Sequence, residues 1–311
     1  MNCLSRCARV FCASLLLVTL AACGRQDTTT TKATDSTTSI APADGSPRIA
    51  NSTDGVHIQY RVYGHGEPTL VFVHGWSCDS SYWNAQVEAF RKNYTVVTVD
   101  LAGHGASGRN RTNWTMANYG ADVAAAVKDL PSKQLILVGH SMGGPVVIEA
   151  ARLLQGRTLA AIGVDTYKTI GAPPPPPEQV EAFIREMQQD YVGTVRSFVT
   201  NTFFTRNADP LLVKKIGQDM SAAPPDVAIA SLRALAGWDD RSAAKGLTIP
   251  IIAINSDLGA LTDDVRIKQV WPTFRSIIVP GTGHFIMMED PPRFDSILTE
   301  AIKTLSLPAV S

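Results

Sequence analysis

Ser141 lies in the stretch from Gln134 to Gly144, Q-L-I-L-V-G-H-S-M-G-G, with Gly139 and Gly143 two positions to either side. A serine hydroxyl is a poor nucleophile at neutral pH and needs both an adjacent base and a backbone that presents it. The G-x-S-x-G spacing supplies the presentation when it sits at a sharp turn from strand to helix. There the serine backbone is strained, and side chains two residues away would collide, so glycine is required. The turn also sets Ser141 Oγ beside a helix N-terminus, whose dipole favours negative charge. The candidate base is His284, in Gly281-Thr282-Gly283-His284, a flexible turn directly after a strand. Ligand sites gather at such strand ends in open α/β sheets. His140 adjoins Ser141, but the tight turn directs the two side chains apart, and His74 and His104 read as loop-packing residues. Charge developing on a substrate oxygen needs backbone N–H donors. Met142, directly after the serine, offers one, and Trp76, after His74-Gly75, offers the other, with its indole placed to roof the pocket. A base also needs an acid to orient it. Four are open: Asp165 ends one strand, while Asp257, Asp263 and Asp264 follow another.

The elements that must position these groups alternate along the chain. Leu135–Val138 is an apolar run with the character of a buried parallel strand, and the residues from Pro145 to Leu154 read as a helix ended by Gly156. Asp54-Gly55 signals a hairpin between Arg48–Asn51 and Val56–Tyr63. Further strands are expected at Thr69–Val73, Thr95–Val99, Leu159–Val164, Ile249–Asn255 and Ser276–Val279. Helices are expected around Ser81–Lys92, Met116–Leu130 with Thr115 as N-cap, Val265–Trp271 and Pro292–Leu305. This rhythm implies a mostly parallel sheet with helices on both faces. It breaks at Pro173–Pro177, which opens a helical segment running to about Gly246 and carrying Phe183, Phe198, Phe203, Phe204, Leu211, Leu212 and Trp238. Such a length is too great for a plain loop, so an inserted cap is expected, its aromatics forming either cap core or an acyl pocket.

Composition excludes some function classes. The 28 basic and 28 acidic residues leave a formal net charge of zero, which provides no electrostatic footprint for nucleic acid. The six histidines are dispersed with no Cys/His cluster, so neither metal nor cofactor is expected. Arg6 and Arg9 precede an apolar stretch, Val10–Ala22, too short to span a bilayer and typical of an export signal. The remaining organisation reads as a signal over 1–22, a tether rich in Thr, Ser, Ala and Asp over 23–46, a core in two parts over 47–165 and 248–311, and a cap over 166–247. Cys3, Cys7 and Cys12 would leave with the signal, and the mature chain keeps Cys23 and Cys78, the latter a packing residue.

Two resemblances sharpen these readings. Leu20-Ala21-Ala22-Cys23 resembles a bacterial lipobox, which implies an exported chain lipidated (palmitate among its acyl groups) at Cys23. Gly24 follows without the aspartate of inner-membrane retention, so the outer membrane is implied, with the lipid as the only membrane contact. From Arg48 to Leu305 the order of motifs resembles the α/β-hydrolase superfamily. His74-Gly75-Trp76 matches its oxyanion loop, Asp100-x-x-Gly103-x-Gly105-x-Ser107 the motif after the next strand, Gly139-His140-Ser141-Met142-Gly143 its nucleophile elbow and Gly283-His284 its base. The resemblance implies an eight-stranded, mostly parallel sheet with the cap after strand six, and a small-molecule carboxylic ester with an apolar acyl part as substrate. The same constellation serves C–C bond hydrolysis, lactone opening and perhydrolysis in relatives, and a surface-binding protein reusing the fold is the non-enzymatic alternative. The chain departs from the family at the acid. Many members carry an aspartate nine residues beyond the proline opening strand seven. Counted from Pro250, that place holds Gly259, and Asp257 comes two residues early. Residues 254–262 are similar instead to haloalkane dehalogenases that draw their acid from the end of strand six, a place Asp165 fits. Asp165 is therefore favoured and Asp257 is its main rival. Dehalogenation is not implied, because that nucleophile is a carboxylate where this chain has Ser141.

Overall fold

The computed structural model describes residues 44–305. The export signal, Cys23 and all but the last three residues of the expected tether lie outside them. Gly45 and Asp44 among them are tied to the core: Gly45 N–H donates to Val62 O at 2.8 Å, and Asp44 pairs with Arg91.

The strands are β1 (Pro47–Asn51), β2 (His57–Tyr63), β3 (Thr69–Val73), β4 (Thr95–Val99), β5 (Leu135–His140), β6 (Thr158–Val164), β7 (Ile251–Ser256) and β8 (Phe274–Val279). They form one sheet in the order β1-β2-β4-β3-β5-β6-β7-β8. β2 runs antiparallel to both β1 and β4, and every other pair is parallel. The middle strands β3 and β5 are buried along their whole length, as their unbroken apolar runs require of strands covered on both faces. Edge strand β1 alternates exposed and half-buried residues and joins β2 through the turn at Gly55, whose φ of 83° suits glycine.

Helices follow from the crossovers. α1 (Asn84–Phe90) connects β3 to β4 in one direction across the sheet. α2 (Met116–Val127) and α3 (Gly143–Leu153) carry the chain the other way, from β4 to β5 and from β5 to β6. Right-handed crossovers therefore put α1 on the face opposite α2 and α3. The insertion between β6 and β7 holds α4 (Pro177–Gln189), α5 (Tyr191–Thr202), α6 (Pro210–Ser221), α7 (Pro225–Ala236) and α8 (Asp240–Ala244). Proline at the first helical position starts α4, α6 and α7, while the side chains of Asp190, Asp209 and Asp239 cap α5, α6 and α8. α9 (Asp264–Val270), α10 (Ile286–Glu289) and α11 (Pro291–Lys303) complete the chain. Among the described residues no helix is long and apolar enough to cross a membrane.

Polar contacts hold the cap to the sheet domain. Trp76 Nε1 donates to Ala228 O at 2.7 Å, the Tyr119 and Ser231 hydroxyls lie 2.6 Å apart, and Trp238 Nε1 donates to Glu149 Oε1 at 2.9 Å. The Trp76 indole thus reaches across to α7, joining core to cap.

Candidate active site

β5 ends at His140, and the next residue, Ser141, has φ 53°, a conformation costly for any residue but glycine. Ser141 N–H donates to Val164 O at 3.0 Å, which fixes the corner to the neighbouring strand β6. The flanking glycines are steric necessities. A Cβ on Gly139 would lie 2.1 Å from Gly143 O, and one on Gly143 would lie 2.6 Å from Val73 O and 2.7 Å from His74 O. Gly75 meets the same limit from the facing loop: its Cβ would stand 2.8 Å from His140 Nδ1 and 3.1 Å from Ser141 Cβ. The His74-Gly75-Trp76 loop therefore runs directly against the serine. Trp76 and Met142 are buried, and among the described residues neither backbone N–H donates to a protein acceptor. Buried N–H groups are rarely left so. One of these donors directly follows Ser141 in sequence and the other lies on the loop packed against it.

His284 follows β8 and is held on all sides. Its Nδ1 lies 2.5 Å from Asp165 Oδ2, its backbone C=O accepts from His140 Nε2 at 3.0 Å, and its N–H donates to Phe203 O at 2.7 Å. The turn around it is set by Glu289, whose carboxylate accepts from Gly283 N–H at 2.8 Å and Phe285 N–H at 3.1 Å. Asp165 sits at the end of β6 with φ 44°. Its Oδ1 accepts from Ser256 N–H at 2.9 Å and Ser256 Oγ at 2.8 Å, and pairs with Lys168 Nζ at 2.8 Å. Burial alone would push the Asp165 carboxyl up, but the hydrogen bond and charge of His284 and the charge of Lys168 outweigh it and hold the group at about 2.

The other candidate acids are engaged elsewhere. Asp257 is exposed and accepts from Gly281 N–H at 2.9 Å. Asp263 caps α9 through Arg266 N–H at 3.0 Å, and Asp264 accepts from Ser276 Oγ at 2.6 Å. His74 is buried, with Nδ1 2.8 Å from Gly75 O and Nε2 accepting Leu101 N–H at 3.1 Å, which assigns the proton to Nδ1. His104 Nδ1 lies 2.9 Å from Ala102 O. The Asp100 motif ties loops together: its carboxylate accepts from Ser80 N–H at 2.8 Å and Ala106 N–H at 3.0 Å, and Gly105 leaves room for that carboxylate. Among the described residues no group of three His, Cys, Asp or Glu side chains is placed to hold a metal ion.

Sequence reasoning passed over Lys168 and Glu289, and read Phe203 only as one of the cap aromatics, without its contact to His284. Lys168 is three residues after Asp165 and reaches it only because the loop turns back, with left-handed backbone at Asp165 and at Tyr167 (φ 68°). No spacing rule signals such a turn at non-glycine residues. The Gly-Thr-Gly-His motif was a signal for close approach to the histidine, without saying what approaches.

Known proteins share the sequence pattern and the fold. A family model described as the alpha/beta hydrolase family matches residues 70–296. The chain is 26% identical over 249 residues to the pimeloyl-[acyl-carrier protein] methyl ester esterase of Yersinia pseudotuberculosis, covering 76% of this chain and 93% of that protein. Its structure is similar to that of a thermophilic esterase from Thermogutta terrifontis (TM-score 0.72, 24% identity, 83% of this chain and 98% of that one). It is also similar to an esterase from Exiguobacterium antarcticum (TM-score 0.75, 18% identity, 83% and 100%).

Proposed function

The chain belongs to the α/β hydrolase family, and on that premise we propose that it cleaves carboxylic esters through an acyl-enzyme on Ser141. The observation that carries this reading is the 2.5 Å contact between His284 Nδ1 and Asp165 Oδ2. A carboxylate there holds the ring proton on Nδ1 and leaves the Nε2 lone pair as base. Nε2 takes the Ser141 proton as Oγ bonds to the ester carbonyl carbon. The oxygen that becomes negative accepts from the N–H groups of Trp76 and Met142, each such donor being worth roughly 10²- to 10³-fold in rate. The tetrahedral species collapses, the C–O bond to the alcohol breaks, and His284 hands its proton to the departing alkoxide. Water, deprotonated in turn by His284, then releases the carboxylic acid. The similarity to an esterase acting on an acyl methyl ester supports an apolar acyl part in the substrate.

A fluorophosphonate probe and a series of p-nitrophenyl esters of rising acyl length test the proposal. Wild-type protein is expected to label and to turn over at least one ester, and Ser141→Ala to do neither. Folded wild type that neither labels nor hydrolyses any member of the series would overturn the reading in favour of a binding protein.

Export and anchoring belong to the same proposal: the chain is lipidated at Cys23 after removal of residues 1–22 and held at a bacterial outer membrane. Support comes from Arg6, Arg9, the apolar stretch after them and Leu20-Ala21-Ala22-Cys23. Palmitate labelling in bacterial cells should tag wild type and miss Cys23→Ser. Equal labelling of both would remove the anchor from Cys23.

A further inference from the structure

We infer that Phe203, a residue of the cap, is a positioning residue for the imidazole of His284 that acts through the negative face of its ring. The inference rests on the reading of His284 as the base for Ser141. Phe203 follows the last residue of α5, where helix carbonyls run out of intrahelical donors. Its carbonyl is satisfied by the His284 N–H at 2.7 Å. Its ring lies on the imidazole almost face to face, with centroids 4.3 Å apart and planes 20° from parallel. The approach is close enough to dictate sequence: a Cβ on Gly283 would stand 2.4 Å from Phe203 O and 3.1 Å from Phe204 Cα. Asp165 fixes one ring nitrogen of His284, and His140 fixes its carbonyl. Neither hydrogen bond sets the plane of the ring; the His140 and Phe285 rings meet it at 53° and 82°, and the near-parallel Phe203 face is the one that lies flat on it.

The stack also favours the charged state that catalysis creates. The face of a phenyl ring is negative and attracts a cation placed over it. Imidazolium forms at His284 as the serine proton transfers, so the contact strengthens on the way to the transition state and acts on kcat.

A different role is available to the same ring. Phe203 packs edge-on to Phe198 with centroids 4.9 Å apart, and Phe198 packs on Phe183 at 4.9 Å. Both of those line a groove of about 460 Å³ on the cap. A Phe203 that merely walled an acyl site would act on KM, increasingly so for longer acyl chains.

Steady-state kinetics on p-nitrophenyl esters of two to eight or so acyl carbons separate the two. Phe203→Leu keeps apolar bulk and loses the aromatic face. Its kcat should fall about tenfold at every acyl length with KM unchanged, the scale of a partly desolvated cation–π contact, and Phe203→Tyr should restore kcat. Replacing Phe203 by pentafluorophenylalanine keeps shape while reversing the charge of the face, and should lower kcat as leucine does even if the leucine variant folds poorly. Wild-type kcat in the fluorinated protein, or a loss confined to KM and growing with chain length, would overturn the inference. His284→Ala is the control for its foundation: if that variant still hydrolyses at the wild-type rate, the assignment of His284 fails, independently of Phe203.

Discussion

Asp165 engages both of its carboxylate oxygens with protein partners, and the partners are divided between them as the proposed mechanism requires. Oδ2 faces His284 alone, while Oδ1 takes two donors from Ser256 and the charge of Lys168. Lys168 Nζ in turn sits 2.9 Å from Leu258 O and 3.2 Å from Ser256 Oγ, so the cation is as firmly placed as the anion. A carboxylate anchored through one oxygen presents the other in a fixed direction, which is what a base tautomer requires. Asp165→Asn puts an amide in that place, and a rotamer offering N–H to His284 would drive the ring proton to the wrong nitrogen. Its kcat on a short-chain p-nitrophenyl ester should drop by roughly 10⁴-fold, the scale of losing tautomer control. Asp257→Asn removes only an acceptor for Gly281 N–H at an exposed turn. It should stay within about threefold of wild type, as exposed substitutions commonly do. Comparable losses in the two variants would mean that the acid is shared or assigned to the wrong strand.

Elements, more than residues, decided what could be read in advance. Unbroken runs such as Leu70–Val73 and Leu135–Val138 announce buried parallel strands, and the elbow glycines announce the turn that β5 and α3 make. The serine, the histidine and their loops were therefore legible. The acid was legible only as a preference for Asp165 over Asp257 drawn from resemblance, because several aspartates end strands or follow them and spacing does not say which strand end faces the histidine. Pairing decides it: Asp165 N–H bonds Ile254 O at 2.9 Å, which sets the end of β6 beside Ser256 on β7 and points the carboxylate at the loop after β8. The cap was legible as helical but not as five helices, although its punctuation was in plain view at Pro177, Asp190, Pro210, Pro225 and Asp239. The expected helix over Ser81–Lys92 is a 3-10 turn at Ser80–Trp83 followed by α1, since Asp79 caps the first turn and Trp83, at φ −103° and ψ 8°, falls outside helical geometry. α10 has four residues, too few for any periodicity to register.

Across the whole molecule, three histidines are buried in the neutral form, and this couples the fold to pH. Burial is the largest cause in each, lowering His74 and pushing His104 and His140 down to about 3, with the charge of His74 adding to the effect on His104 and that of His284 to the effect on His140. In the unfolded chain such side chains titrate near 6.5. The unfolded state therefore binds more protons than the folded state from about pH 6.5 downward, and stability rises with pH through that window. The contribution is fully present above about 6.5 and is lost as pH falls toward 3. Asp165, held at about 2, works in the same direction but only below about 4, where unfolded aspartate takes its proton. Glu289, Asp295 and Asp122, pushed up by burial, oppose in sign. Between pH 6.5 and 5, His104 and His140 each cost up to about 1.4 kcal/mol per pH unit, and His74 acts in the same direction. His104 is the one to remove: it faces His74 at 5.1 Å and Tyr119 at 6.0 Å, feels the more distant charge of Asp79, and touches no catalytic group. His104→Gln retains a donor for Ala102 O and cannot titrate. Urea unfolding at pH 7, 6 and 5 should show wild type losing stability steeply below pH 6.5, and the variant losing it less steeply by about 1.4 kcal/mol per unit. The slope is the readout, so any constant loss from the substitution does not obscure it. Parallel slopes for the two proteins would show that His104 takes up its proton without unfolding.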